Sequence, residues 1–327
     1  IHIDISVADK EDFQVIIDTY KSIFTENIFS QEIFDKEKKV IQTELETRNS
    51  NPSISIFEQY LTLCYPNNSN FPNIIGTKES IDSITLDDVK AFHEKVMSTD
   101  AKIILCGDFP KDYDLGDIGF KKITNVNLPE VINFSNSKFT SINKNENNLC
   151  QMILGVKSLP IGNPKYYDLE IITDLIAGGR SSELNKILRY KKALVYFVNG
   201  DQLVFSDTGS LIIKTAVSKN NLQEVVNVIK DLLLELSVKG FSEEEINKSK
   251  NKLLKSKSMQ LQTVKSWADF HTYKLNPTNS EQNCFDYLNN INRVTLESVK
   301  ETCAVLFKES NFFLAVAGNL SEADFML

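Results

Sequence analysis

The sequence predicts an α+β fold made of two repeated units, on three observations. A series of capped helices and apolar strands recurs about 210 residues further along the chain. The length of 327 residues fits two domains at roughly 100–200 residues each. Apolar residues make up 42% and charged residues 24%, the balance of an ordinary folded chain. No window approaches the about 18 uninterrupted apolar residues of a transmembrane helix.

Residues 3–7 read as a strand and 12–23 as a helix. Phe29-Ser30-Gln31-Glu32 opens a long polar-rich helix with Ser30 at its N-cap. Thr85 caps the next helix in Ile84-Thr85-Leu86-Asp87-Asp88-Val89-Lys90, where acidic residues suit the positive end of the helix dipole. The apolar run 102–107, ending in Gly107, reads as a buried strand. Residues 125–148 are polar, rich in Asn and Ser and weakly patterned, which reads as a linker. A strand at 150–156, helices at 167–177 and 181–192, and a strand at 194–204 follow. The strand 211–217 and helix 222–236 repeat 3–7 and 12–23. Phe241-Ser242-Glu243-Glu244 repeats the Ser-capped opening, Val294-Thr295-Leu296-Glu297-Ser298-Val299-Lys300 the Thr-capped one, and 312–318 the final strand. By this ruler the first copy begins at the equivalent of Leu211, about 60 residues into the unit. The domains therefore read as an incomplete first unit, 1–124, a linker, 125–148, and a second unit, 149–327.

Forty-four acidic against 36 basic side chains give a net charge of −8, which argues against a general nucleic-acid binder. The five cysteines (Cys64, Cys106, Cys150, Cys284 and Cys303) are odd in number and form no CxxC pair. They read as reduced core thiols rather than a disulfide framework or a zinc knuckle. With no export signal in the opening residues, they point to the cytoplasm.

The copies differ where chemistry could sit. Glu37 and Glu44 lie seven residues apart, about two helical turns, and so share a face. The second copy has Ser249 and Ser256 at the matching positions. A pair of carboxylates with work to do and a merely solvated helix face both fit this spacing. The second copy carries Gly178-Gly179-Arg180-Ser181-Ser182, a tight turn into a Ser-capped helix without the spacing of a phosphate loop. Arg189 and Tyr196 follow, again seven apart. Arg189 offers a planar fork of donors for a carbonyl or carboxylate, and Tyr196 a hydroxyl for a developing oxyanion. Packing with a surface salt bridge is the alternative for both.

In this order and spacing the motifs resemble the M16 metallopeptidases, the pitrilysin, insulinase and mitochondrial processing peptidase group. The motifs are Glu37-x6-Glu44 after Phe29-Ser30, Gly178-Gly179-Arg180-Ser181-Ser182-Glu183-Leu184, Leu188-Arg189-x6-Tyr196, and Ser206-Asp207-Thr208-Gly209. The resemblance implies paired units of a LuxS-metallohydrolase-like fold, each a mostly antiparallel sheet with helices on one face. It implies zinc held by an HxxEH helix and a downstream glutamate, with the Glu of that helix activating water. On that basis Glu44 is the metal ligand, Glu37 its supporting carboxylate, and Arg189 and Tyr196 contact a peptide substrate. A second M16 chain, like or unlike, is the implied partner; neither nucleic acid nor a membrane span is. The chain departs from the family in one respect that matters: His2, His93 and His271 are its only histidines and none sits in HxxEH. The sequence therefore predicts a chain inactive alone. Its parent is read as a zinc endopeptidase or, alternatively, as a non-catalytic partner that supplies Arg189 and Tyr196. An unrelated α+β binding protein is the third reading. A smaller departure is Ala193-Leu194-Val195-Tyr196, where the family usually has glycine two residues before the tyrosine.

Overall fold

Along residues 149–158 the side chains of Cys150, Met152, Leu154 and Val156 point one way and Ile153 the other, so both sheet faces must be covered. The computed structural model describes residues 3–7, 9–26, 29–65, 74–97, 103–109, 134, 138–142, 148–205, 207–275 and 284–320. Its sheet has five strands: β1 (Phe139–Ile142), β2 (Leu149–Ser158), β3 (Val195–Val204), β4 (Gly209–Ser218) and β5 (Phe312–Ala317). They run in the order β1-β5-β2-β4-β3. Only β1 and β5 are parallel, so the sheet is mixed and mostly antiparallel.

One face is covered by α6 (Tyr166–Ala177), α7 (Leu222–Lys239) and α11 (Leu296–Leu306). Val225, Ile229, Leu233 and Leu236 recur along α7 at helical spacing and meet Met152, Leu154, Leu211, Ile213 and Leu314 in one core. Thr295 caps α11 in a reciprocal box with Ser298. Ser298 and Thr302 then donate to the buried carboxylate of Asp168 at 3.0 and 2.8 Å, tying α11 to α6. Burial pushes the Asp168 carboxyl above the usual range, and these hydroxyls pull it back in part.

Sequence reading left the other face bare, but α3 (Pro52–Cys64) covers it. Ile56, Tyr60, Leu63, Cys64 and Tyr65 pack there against Ile153, Ile212, Phe313 and Ala315. Tyr60 reaches the backbone of β2 at Gly155, where a β-carbon would lie 1.8 Å from its hydroxyl oxygen. The expectation of helices on one face is corrected for this reason: a strand apolar on both sides needs two layers. Cys64, Cys106, Cys150 and Cys303 are free thiols, and burial pushes Cys64 and Cys303 up to about 12. Cys284 has a described backbone only.

Chain contacts divide the protein into two compact units. One comprises Ile1–Glu46, Ile74–Pro129 and Gln260–Thr272; the other comprises Thr47–Asn73, Glu130–Met259 and Tyr273–Leu327. The sheet belongs to the second unit. The first holds α1 (Phe13–Thr25), most of α2 (Gln31–Ser50), α4 (Lys78–Ser83), α5 (Leu86–Met97) and most of α9 (Val264–Leu275). It has no strand among its described residues. The strands expected at 3–7 and 102–107 are thus corrected. An apolar run becomes a strand only when neighbouring strands pair with it, and no ladder reaches these segments among the described residues. β1 lies inside the stretch read as a linker, where Phe139–Ile142 pairs with Leu314–Ala317.

The long helices carry one contact in common. Lys38 of α2 donates to the carbonyls of Asp82 and Ile84, at 2.8 and 2.9 Å, just before α5. Lys250, on α8 (Glu243–Gln260), donates to the carbonyls of Asn292 and Val294 just before α11.

Candidate functional site

Arg189 and Tyr196 come together in the second unit through local chemistry that starts at the end of α6. Gly178 leaves α6 so closely that a β-carbon would lie 2.3 Å from Asp174 Oδ1. Lys252 of α8 donates to Asp174 Oδ1 at 2.5 Å and also to the Gly178 carbonyl, which anchors the turn. Ser249 is buried and donates to the other oxygen of Asp174 at 2.8 Å. Beyond the turn, residues expected to form an ordinary helix instead form a π-helical turn, Asn185–Lys191. Such wider turns recur at functional sites.

Asn185 fixes this turn to the strand that carries Tyr196. It is 3% exposed and donates to Ser182 Oγ at 3.1 Å and to the Val198 carbonyl at 2.8 Å. Val198 ends an irregularity in β3 that begins at Val195, so Tyr196 stands on the disturbed stretch. Between turn and strand, Ala193 has φ +51°, the left-handed conformation that suits glycine. Ala193 therefore carries backbone strain that glycine would not. Ala193→Gly should raise stability by about 0.5–1 kcal/mol, read as a higher midpoint in thermal unfolding. An unchanged or lower midpoint would mean that Ala193 is not strained.

The outcome is one cluster. The guanidinium carbon of Arg189 lies 5.1 Å from the ring centroid of Tyr196 and 5.3 Å from that of Tyr190, within cation–π reach of both. The Tyr196 side chain is 81% exposed and Tyr190 56%. Arg189 is half-buried, and its N–H groups meet no hydrogen-bond acceptor among the described residues. A half-buried arginine held by rings, with its donors open, is poised to take an outside acceptor. Tyr190 was missed by sequence reading, although it directly follows Arg189.

Glu37 and Glu44 lie in the first unit, both exposed on α2. Zinc at a catalytic site takes three protein ligands and a water. Among the described residues no three His, Cys, Asp or Glu side chains gather to hold a metal. His93 packs edge-on against Phe29 and lies 3.3 Å from the Ile23 carbonyl; His271 packs against Trp267 and Phe270. His2 and Ser206 lie outside the described residues. The described donors therefore do not fit a zinc site. No described helix is long and apolar enough to cross a membrane.

A zinc protease of Bacillus subtilis, YmxG, uncharacterized in function, is 26% identical over 301 residues, covering 90% of this chain and 72% of its own. A Helicobacter pylori relative, described as the non-peptidase homolog YmxG, is 24% identical over 271 residues, 77% of this chain and 57% of that one. The crystal structure of a peptidase M16 inactive domain from Pseudomonas fluorescens superposes with a TM-score of 0.78 at 15% identity, covering 97% of this chain and 77% of that one. Residues 83–253, just over half of the chain, match the family described as the peptidase M16 inactive domain. With these motifs in this α+β frame and a match to its inactive-domain model over residues 83–253, the chain belongs to the M16 peptidase family.

Proposed function

We propose that the chain serves an M16-type zinc metalloendopeptidase as its peptide-gripping part and does not cleave by itself. The observation that carries this is the exposed Arg189–Tyr196 cluster, whose donors are open while the buried Asn185 fixes its footing. Arg189 would take a substrate carbonyl or carboxylate, and Tyr196 would donate to the oxyanion of the cleaved peptide bond. Glu44 would be a zinc ligand and Glu37 its support once the remaining ligands are supplied. A zinc ion held in this way would supply an activated water. The matching lysine clips of α2 and α8, with the Thr-led openings of α5 and α11, support two copies of one unit. Pairing with another M16 chain, like or unlike, follows from the same reading.

A second reading, the non-catalytic partner, is favoured by the inactive-domain match and by the relative described as a non-peptidase homolog. Elemental analysis of the protein as the cell makes it separates the two. About one zinc per chain, lost in Glu44→Gln, supports the peptidase. Full zinc in Glu44→Gln would overturn the ligand assignment, and no zinc in the wild type would favour the partner. Chelator-sensitive peptide cleavage by residues 1–327 alone would overturn the claim that this chain is inactive by itself.

A further inference from the structure

The segment that carries Arg189 has a charge opposite to that of the chain. Residues 180–192 contain Arg180, Lys186, Arg189, Lys191 and Lys192 against the single acid Glu183, a net +4 in a chain of net −8. Lys186 pairs with Glu183 and Lys192 with Glu224, each at 2.6 Å. Arg180, Arg189 and Lys191 have no ion-pair partner among the described residues. Arg180 and Lys191 are exposed. Like charges packed into so short a stretch repel one another, and an anionic partner relieves that repulsion.

Resting on the reading above, we propose that this segment is a docking surface for acidic peptides. In it, Arg189 grips a carboxylate and Tyr190 holds Arg189 in place. With Tyr190 and Tyr196 engaging the guanidinium, the donors along its edge remain for an acceptor in its plane. A carboxylate meets that edge with two parallel hydrogen bonds, whereas a lone peptide carbonyl satisfies one. The exposed rings offer apolar faces for neighbouring side chains of the same peptide. The net negative charge of the rest of the chain disfavours a long polyanion such as nucleic acid and suits a short acidic segment that meets only this patch.

The test is fluorescence anisotropy with three labelled peptides of equal length, one rich in glutamate, one neutral and one rich in lysine, at low and high salt. The acidic peptide should bind about tenfold or more tighter than the neutral one and lose that advantage in salt. Lys191→Gln, a change at an exposed side chain, should weaken the acidic peptide by about 2- to 5-fold. Tyr190→Leu should weaken it by about 3- to 10-fold. Arg189→Lys should cost at least as much as Tyr190→Leu, although the charge is kept, because an ammonium lacks the planar fork. If all three peptides bind equally and Arg189→Lys weakens all three, the preference for acids falls while peptide gripping stands. If no peptide binds, both fall. Tighter binding of a single-stranded oligonucleotide of equal charge would also overturn the proposal.

Discussion

Gly155→Ala should destabilise the protein by about 3–5 kcal/mol, a large share of the stability of an ordinary domain. Gly155 sits in mid-sheet, paired with Ile212 on one side and Phe313 on the other, so the backbone has nowhere to retreat. The new β-carbon would lie 1.8 Å from the Tyr60 hydroxyl oxygen and 2.3 Å from Cζ. Tyr60 cannot swing aside. It is fully buried, packed with Ile56, Cys64 and Tyr65, and it shares a short hydrogen bond with Ser210. Pushing it out breaks that bond and leaves the buried Ser210 hydroxyl only a long 3.5 Å contact to the Val156 carbonyl, so a poorly satisfied polar group adds to the overpacking. Burial pushes the Tyr60 hydroxyl well above its ordinary pKa, so the group stays protonated and raising pH gives no relief. Thermal unfolding of a double-mutant cycle checks the cause. In a Tyr60→Ala background, itself destabilised, Gly155→Ala should add less than about 1 kcal/mol because the cavity accepts the methyl group. A Gly155→Ala protein that melts with the wild type would mean that α3 does not seat on this face.

That contact also marks where sequence reading stops. Tyr60 and Ser210 are 150 residues apart, and nothing in the local pattern around either one names the other. β2 and β4 were legible as short, nearly continuous apolar runs, and α7 because its apolar residues recur with the helical period of 3.6. The openings of α5, α8 and α11 were legible because a capping Thr or Ser bonds only three residues ahead, as Thr85 does with Asp88 and Ser242 with Glu245. Residues 3–7 and 103–107 have the apolar character of strands but no ladder among the described residues, and pairing is a property of partners rather than of the segment itself. At the site, the seven-residue spacing of Arg189 and Tyr196 marked both as candidates. Their proximity depends on the π-helical turn, the left-handed Ala193 and the Asn185 bond to Val198. None of these has a periodic signature, which is why Tyr190 was missed beside its neighbour.

If the whole protein is the zinc peptidase proposed above, Tyr196→Phe should lower kcat by about 10²- to 10³-fold, the usual loss when one oxyanion donor is removed. The variant deletes only the hydroxyl. The ring that Arg189 leans on at 5.1 Å remains, and with it the footing supplied by Asn185. A ring this exposed is not part of the core, so little folding stability should go with the hydroxyl. KM should therefore stay within about twofold, since ground-state contacts are unchanged, and zinc per chain should stay the same. Arg189→Lys should behave differently. It weakens a contact made before the bond breaks, so KM should rise with kcat less affected. The contrast separates a donor acting in the transition state from a grip on bound peptide, which a simple loss of activity in either variant would not do. Unchanged kcat in Tyr196→Phe would make Tyr196 a packing partner of Arg189 and leave the oxyanion without this donor. A matched fall in zinc content would instead mean that the change disturbs the metal site rather than the chemistry.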